Sequence, residues 1–286
     1  MVRGLRRAGV AAGVAALVLA GAAGSSGPMP LRGTVLERSL PSNALRGSLA
    51  FEIYLPPSYA SSHRRYPVIY FLHGLPASPY AFRGASVFTR ALEEARKPAI
   101  LVAPQGARDG DNDPEYLDWG TGRNWETAIG VELPRYVDAH FRTIPGRRGR
   151  ALVGLSAGGY GAVLLVLHHL DSFAVMESWS GYFHPTNPAG DAPLDLGSAR
   201  ANRRASAHSV VPMLRQAFQR RPTFFAFYVG RGDARFRAEN ERLHRELSAA
   251  HVPHVFELYP GAHEQSLWQG HARQWLRLGL EHLASR

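Results

Sequence analysis

Residues 153–162 read VGLSAGGYGA, a G-x-S-x-G pattern centred on Ser156. The pattern alone carries little weight. With 29 glycines and 20 serines among 286 residues, chance supplies about 0.2 such matches in a chain of this composition. Its setting carries more. Residues 152–155 form a short apolar run of strand character, and residues 160–169 have helical character. Ser156 therefore sits where a strand turns into a helix, the context in which a serine hydroxyl is held exposed on a strained turn. Side chains two residues to either side would collide there, and Gly154 and Gly158 have none. Gly159 and Gly161 let the helix pack closely on its neighbours.

Outward from this turn the alternation repeats. Val68–Leu72 and residues 99–103 are continuous apolar runs, as expected of strands buried on both faces. Residues 173–176, 224–229 and 255–259 follow, and residues 34–40 and 49–55 read as an early strand pair. Ile129, Leu133, Val137 and Phe141 recur at the spacing of one helix face, with Pro134 expected to kink that helix or mark its start. Residues 239–250 and 271–283 are further helices. The fold class is α/β, with a mostly parallel sheet of about eight strands and helices on both faces. One domain over residues 33–286 is the economical division. Residues 182–221, rich in Pro, Gly and Asp and then polar and helical, read as a lid-like insertion over the carboxyl end of the sheet.

Residues 1–23 have the layout of a secretory signal peptide: Arg3, Arg6 and Arg7, an uncharged run, then Ala20-Gly21-Ala22 as a cleavage site. An uncleaved anchor is the alternative, for which the run is short. Residues 24–32 are a linker. The expected location is secreted or in the cell envelope. The chain has no cysteine, which rules out disulfides and a thiol nucleophile. The formal charge of +10 falls to +7 without the three signal arginines. No basic run interleaved with aromatics marks a nucleic-acid site. The charge reads as a soluble basic surface, with weak association with an anionic cell envelope as the sharper alternative.

A serine hydroxyl needs a general base at neutral pH. Behind a strand–turn–helix serine the partners follow in the order acid, then histidine. Residues 224–229 are followed by Gly230-Arg231-Gly232-Asp233, which puts Asp233 in a glycine-rich loop at a strand's end. Glu239 and Asp195 are weaker candidates, one inside a helix and the other in the insertion. Of 13 histidines, His263 alone stands in a turn just past the last strand, after Pro260-Gly261-Ala262. The oxyanion of an acyl-transfer intermediate needs backbone N–H donors. Ala157 and Leu75 are the expected pair, since Pro76 has no N–H. His73 is expected to stabilise its loop rather than act as a base.

In this order the residues resemble the esterase D-like group of α/β-hydrolases, which includes S-formylglutathione hydrolases, feruloyl esterase domains, siderophore esterases and secreted mycolyltransferases. FLHG, GLSAGGYGA, SWSGYF, VGRGD and PGAHEQSLW carry the resemblance, over roughly residues 49–280. It implies an α/β-hydrolase fold, no cofactor, and hydrolysis or transfer of acyl esters. Two places depart from the group. Trp268 comes five residues after His263, where the group has a tryptophan closer by. DGDNDPEYLDW, residues 109–119, replaces a loop carrying an aromatic–Trp pair, a role that Tyr116 and Trp119 match loosely. Tyr116, Trp119, Tyr160 and Trp268 are the expected substrate-binding residues. The acidic spacing of that loop suggests calcium, but Pro114 holds the required glycine position and Gly120 the closing glutamate position, so no metal is expected.

The expectation is an exported, monomeric serine carboxylesterase acting on a small-molecule or glycolipid acyl ester through Ser156, Asp233 and His263 and an acyl-enzyme. The alternative is a mycolyltransferase-like acyltransferase that passes the acyl group to a sugar hydroxyl with the same triad. A non-catalytic binding protein on this fold is the third reading, and the intact order of serine, acid and histidine weighs against it.

Overall fold

The computed structural model of the chain describes residues 31–111, 115–187 and 192–285. Residues 1–30, on which the expected signal peptide and most of the expected linker fall, and the loop positions Asn112, Asp113 and Pro114 lie outside the described residues. All described elements belong to the compact unit Leu31–Arg286.

The apolar runs become the strands β1 (Thr34–Ser42), β2 (Gly47–Leu55), β3 (Val68–Leu72), β4 (Ile100–Pro104), β5 (Arg150–Leu155), β6 (Val175–Trp179), β7 (Phe224–Gly230) and β8 (His254–Tyr259). They form one sheet in the order β1-β2-β4-β3-β5-β6-β7-β8. β2 pairs antiparallel with β1 and with β4, and every other neighbouring pair is parallel. This is the α/β-hydrolase fold. Strands β1 and β2 are each two residues longer than the apolar pattern suggests, because Pro41 and Ser42 continue the hairpin on an edge strand, where a missing N–H breaks no ladder.

Each interior strand feeds two cores, as the period of two requires. On β3, Val68, Tyr70 and Leu72 join the core under α3 (Leu133–His140), α4 (Ala157–His168) and α8 (Arg237–Ala249). Ile69 and Phe71 join the opposite core, under α1 (Ser86–Glu94) and α9 (Gln265–Glu281). Helix α1 has no counterpart in the sequence reading, although Phe88, Ala91 and Leu92 carry the i, i+3, i+4 spacing of a buried face. The helix expected around Ile129 begins as α2 (Trp125–Thr127), passes through a π-helical stretch, Ala128–Glu132, and continues as α3. Pro134 is the second residue of α3, directly after the π-helical stretch.

The insertion holds α5 (Ala199–Ala205), α6 (Ala207–Val210) and α7 (Arg215–Arg220). It does not stay over the carboxyl end of the sheet. Ala207, Val210, Val211 and Phe218 are buried in the main core, and Phe218 packs edge-on to Phe225 at the start of β7. An apolar stripe in this segment outweighs its polar composition and draws it down the face of the sheet.

The ladder sets where chemistry can occur. Leu72 pairs with Gly154, Leu155 with Trp179, Trp179 with Tyr228 and Gly230 with Tyr259. The loops after β3, β5, β6, β7 and β8 therefore emerge along one edge, the usual place for ligands in such sheets.

Candidate active site

Ser156 stands between β5 and α4 with φ 54° and ψ −116°. That is a costly backbone for a residue with a side chain, and it turns the hydroxyl out of the sheet. Two close approaches make the turn possible. A Cβ on Gly154 would overlap the Gly158 carbonyl, and one on Gly158 would overlap the Leu72 carbonyl. The Ser156 N–H is anchored to the Trp179 carbonyl at 2.9 Å.

Ser156 Oγ lies 3.0 Å from His263 Nε2, and His263 Nδ1 lies 3.0 Å from Asp233 Oδ2. With Nδ1–H donating to the carboxylate, Nε2 is free to accept the serine proton. Asp233 is 1% exposed. Its other oxygen accepts the N–H groups of Arg235 and Phe236 at 3.1 and 3.0 Å, so the buried carboxylate is satisfied on both sides. The acid and histidine loops are stitched together by backbone bonds from Arg231 N–H to Tyr259 O and Gly232 N–H to Gly261 O, both 2.8 Å. The alternative acids lie elsewhere. Asp195 accepts from Gly197 and Asn202 within the insertion, and Glu239 pairs with His208.

His263 is held from both sides. The rings of Phe236 and Trp268 meet its imidazole edge-on at centroid distances of 5.0 Å each. The indole N–H of Trp268 donates to Ser180 Oγ at 2.9 Å. Ser180 follows β6 with φ 51°, a second strained position one strand from Ser156. The sequence reading gives Phe236 and Ser180 no role. Ser180 stands in the SWSGYF stretch, which does not show what it touches.

The loop after β3 lies against Ser156: a Cβ on Gly74 would come within 3.1 Å of Ser156 Cβ. Leu75 is the next residue. Ala157 opens α4, so its N–H has no acceptor within the helix and points to the same edge. His73 turns its Nδ1–H to the Gly74 carbonyl at 2.9 Å, inside its own loop.

The four expected substrate contacts separate. Tyr160 is fully buried, donates its hydroxyl to Ala205 O at 2.7 Å and stacks on Tyr182. It offers a substrate no surface. Tyr116 is 4% exposed and donates its hydroxyl to His73 O at 2.7 Å, which braces the β3 loop. Burial drives the phenol pKa of both tyrosines far upward. Trp268 touches His263. Trp119 is half-exposed beside the Arg123 guanidinium and lines a cavity of about 230 Å³ with Leu117, Glu126, Leu196 and Arg204.

Two buried carboxylates are tuned oppositely. Glu126 accepts from His168, His169 and Arg204 at 3.0, 3.1 and 2.9 Å. Burial pushes its pKa up, but these partners outweigh burial and hold it down at about 2. Glu177 on β6 accepts from the Trp179 indole at 3.0 Å, and burial pushes it up to about 8. No group of acids and histidines suited to a metal ion occurs among the described residues.

A family model described as Esterase matches residues 42–274. An esterase of Mycobacterium tuberculosis (strain CDC 1551 / Oshkosh) is 28% identical over 236 residues, covering 74% of this chain and 51% of its own length. The diacylglycerol acyltransferase/mycolyltransferase Ag85A of Mycobacterium leprae is 31% identical over 164 residues, covering 54% of this chain and 48% of its own length. The chain thus spans about half the length of these curated relatives. Among solved structures, an S-formylglutathione hydrolase from Agrobacterium tumefaciens superposes with a TM-score of 0.73 at 20% identity, over 90% of this chain and 98% of that one.

Proposed function

The chain belongs to the Esterase family, and on that premise we propose that it is an exported serine carboxylesterase working through an acyl-enzyme, as one domain over residues 33–286. Ser156 is the nucleophile, His263 the general base and acid, and Asp233 the residue that orients the imidazole. The observation that carries this reading is the unbroken hydrogen-bonded chain from Ser156 Oγ through His263 to the buried Asp233, each link 3.0 Å. Export rests on residues 1–23, and no described helix is long and apolar enough to cross a membrane.

The chemistry follows from the geometry. His263 Nε2 takes the hydroxyl proton as Ser156 Oγ attacks the ester carbonyl. Asp233 keeps Nδ1 protonated and stabilises the imidazolium that forms. The carbonyl oxygen becomes an oxyanion, held by the Leu75 and Ala157 N–H groups and by the positive end of α4. Collapse of the intermediate expels the alcohol, which takes the proton from His263. Water, activated by the same histidine, then releases the acid. The substrate is a small-molecule or glycolipid acyl ester, with Trp268 beside the reacting histidine.

The similarity to a relative named as an acyltransferase supports a second reading, in which a sugar hydroxyl replaces water in the last step. A fluorophosphonate probe tests the first reading: wild type is labelled and Ser156→Ala is not. Equal labelling of both, or of neither, sinks it. Product partition between water and added trehalose on a p-nitrophenyl ester separates the two readings, and exclusive hydrolysis at high acceptor removes the transferase.

A further inference from the structure

At the end of the sheet opposite Ser156, a cavity of about 900 Å³ opens where β6, β7 and β8 begin. Its volume falls in the range of small-molecule sites. Phe224 lines it, at the first position of β7. The seven residues of that strand separate the cavity from the Asp233 loop by about 20 Å at the usual rise per residue. The cavity is therefore no part of the site described above.

Its charge is one-sided. Arg147, Arg148 and Arg215 stand on its walls. Arg148 and Arg215 are exposed and form no ion pair among the described residues. Arg147 is half-buried and donates to neutral acceptors, to Leu170 O through Nε and to Pro222 O and Thr223 Oγ1 through Nη2. These bonds orient its guanidinium without cancelling its charge. Burial and then the neighbouring Arg221 lower its pKa, and Asp171 offsets them only in part. Glu281, the carboxylate on the lining, is already shared by Lys97 and Arg277. From the insertion, Arg215, Phe218, Gln219 and Pro222 form one wall, and none of them is acidic.

The floor is apolar. Phe218 packs edge-on to Phe225, Phe224 stacks on the His282 ring at 3.8 Å, and Val252 and Leu283 complete it. A small inorganic anion has no use for such a floor. A membrane surface would call for protruding apolar side chains, yet none of the exposed large ones, Val35, Tyr80, Trp119 and Met213, lines this cavity.

We propose that the cavity binds a single-chain amphipathic anion of the fatty-acid carboxylate class. The head group sits among Arg147, Arg148 and Arg215, and the chain lies over Phe218, Phe224, Val252 and Leu283. An acid of this class is also what hydrolysis of a long acyl ester releases. The proposal stands on the cavity alone and holds whether or not Ser156 is a nucleophile.

The test is binding of cis-parinaric acid to the full chain, followed by its fluorescence. Wild type and Ser156→Ala bind it saturably, and dodecanoate displaces it, whereas equal concentrations of dodecanol or inorganic phosphate do not. The double variant Arg148→Glu, Arg215→Glu weakens binding about tenfold or more, since two attractive charges become repulsive. The double lysine variant stays within about threefold, because a point charge suffices for a carboxylate at a rim. Both double variants keep wild-type melting temperature and wild-type turnover of a short p-nitrophenyl ester. Absence of saturable binding, displacement by phosphate or dodecanol as effective as by dodecanoate, or undiminished affinity in the double glutamate variant overturns the proposal.

Discussion

Trp268 sets its indole ring edge-on to His263 at 5.0 Å while its N–H is fixed to Ser180 Oγ at 2.9 Å. The histidine is thus braced by a side chain that is itself pinned to a neighbouring strand end. Ser180→Ala leaves a buried indole N–H without its acceptor, which costs about 1–3 kcal/mol. Loosened bracing lowers kcat more than it raises KM, because the imidazole is aligned for a smaller share of encounters. Steady-state kinetics beside thermal melts check this. A stability loss with unchanged kcat assigns Trp268 to packing alone.

Asp233→Asn removes the charge while keeping the shape of the loop. The amide turned as a donor favours the imidazole tautomer with Nδ1 unprotonated, so Nε2 can no longer accept the serine proton. A fall in kcat of about 10⁴ is expected, with KM little changed. Retained activity would move the acid role to another residue.

Glu177 gives the fold a defined pH dependence. Its folded-state pKa of about 8 stands above its ordinary value of 4.5. The unfolded chain therefore releases this proton first, and stability falls as pH rises through the window from about 4.5 to 8. Glu177→Gln is expected to raise stability at pH 8 by about 3 kcal/mol relative to wild type and to leave it unchanged at pH 4. Melting temperature against pH for both proteins is the measurement. Parallel curves contradict the assignment.

Glu126 has the opposite sign. Its pKa of about 2 lies below the ordinary 4.5, so its contribution is present above that value and is lost as pH falls toward 2. Through Arg204 this carboxylate ties the insertion to α2 and α4. Glu126→Gln should cost about 3 kcal/mol at pH 7. Limited proteolysis should then cut first near α5. Cleavage elsewhere first argues against this tie.

Much of this architecture was legible in the chain. Strands such as β3 and β5, buried on both faces, are continuous apolar runs that periodicity finds without help. The glycines around Ser156 betray a turn in which backbone replaces side chain, and Asp233 and His263 follow at later strand ends in the order such a turn requires. Other features need the third dimension. Tyr160 sits one turn past Ser156, but its face of α4 points to Ala205 rather than to the cleft, which a residue count does not show. Phe236 reaches His263 from the loop after β7, and Ser180, just past β6, acts on it only through Trp268, so no local pattern links them. The insertion follows its few apolar residues, which composition hides among arginines.

The acyl-enzyme itself gives the most direct test. Turnover of a p-nitrophenyl ester is quenched in acid within the first cycles, and the intact protein and its proteolytic peptides are weighed. The predicted result is one acyl mass on the peptide that carries Ser156 in wild type and none in Ser156→Ala. Turnover without an adduct, or an adduct on a peptide lacking Ser156, would contradict the proposed mechanism.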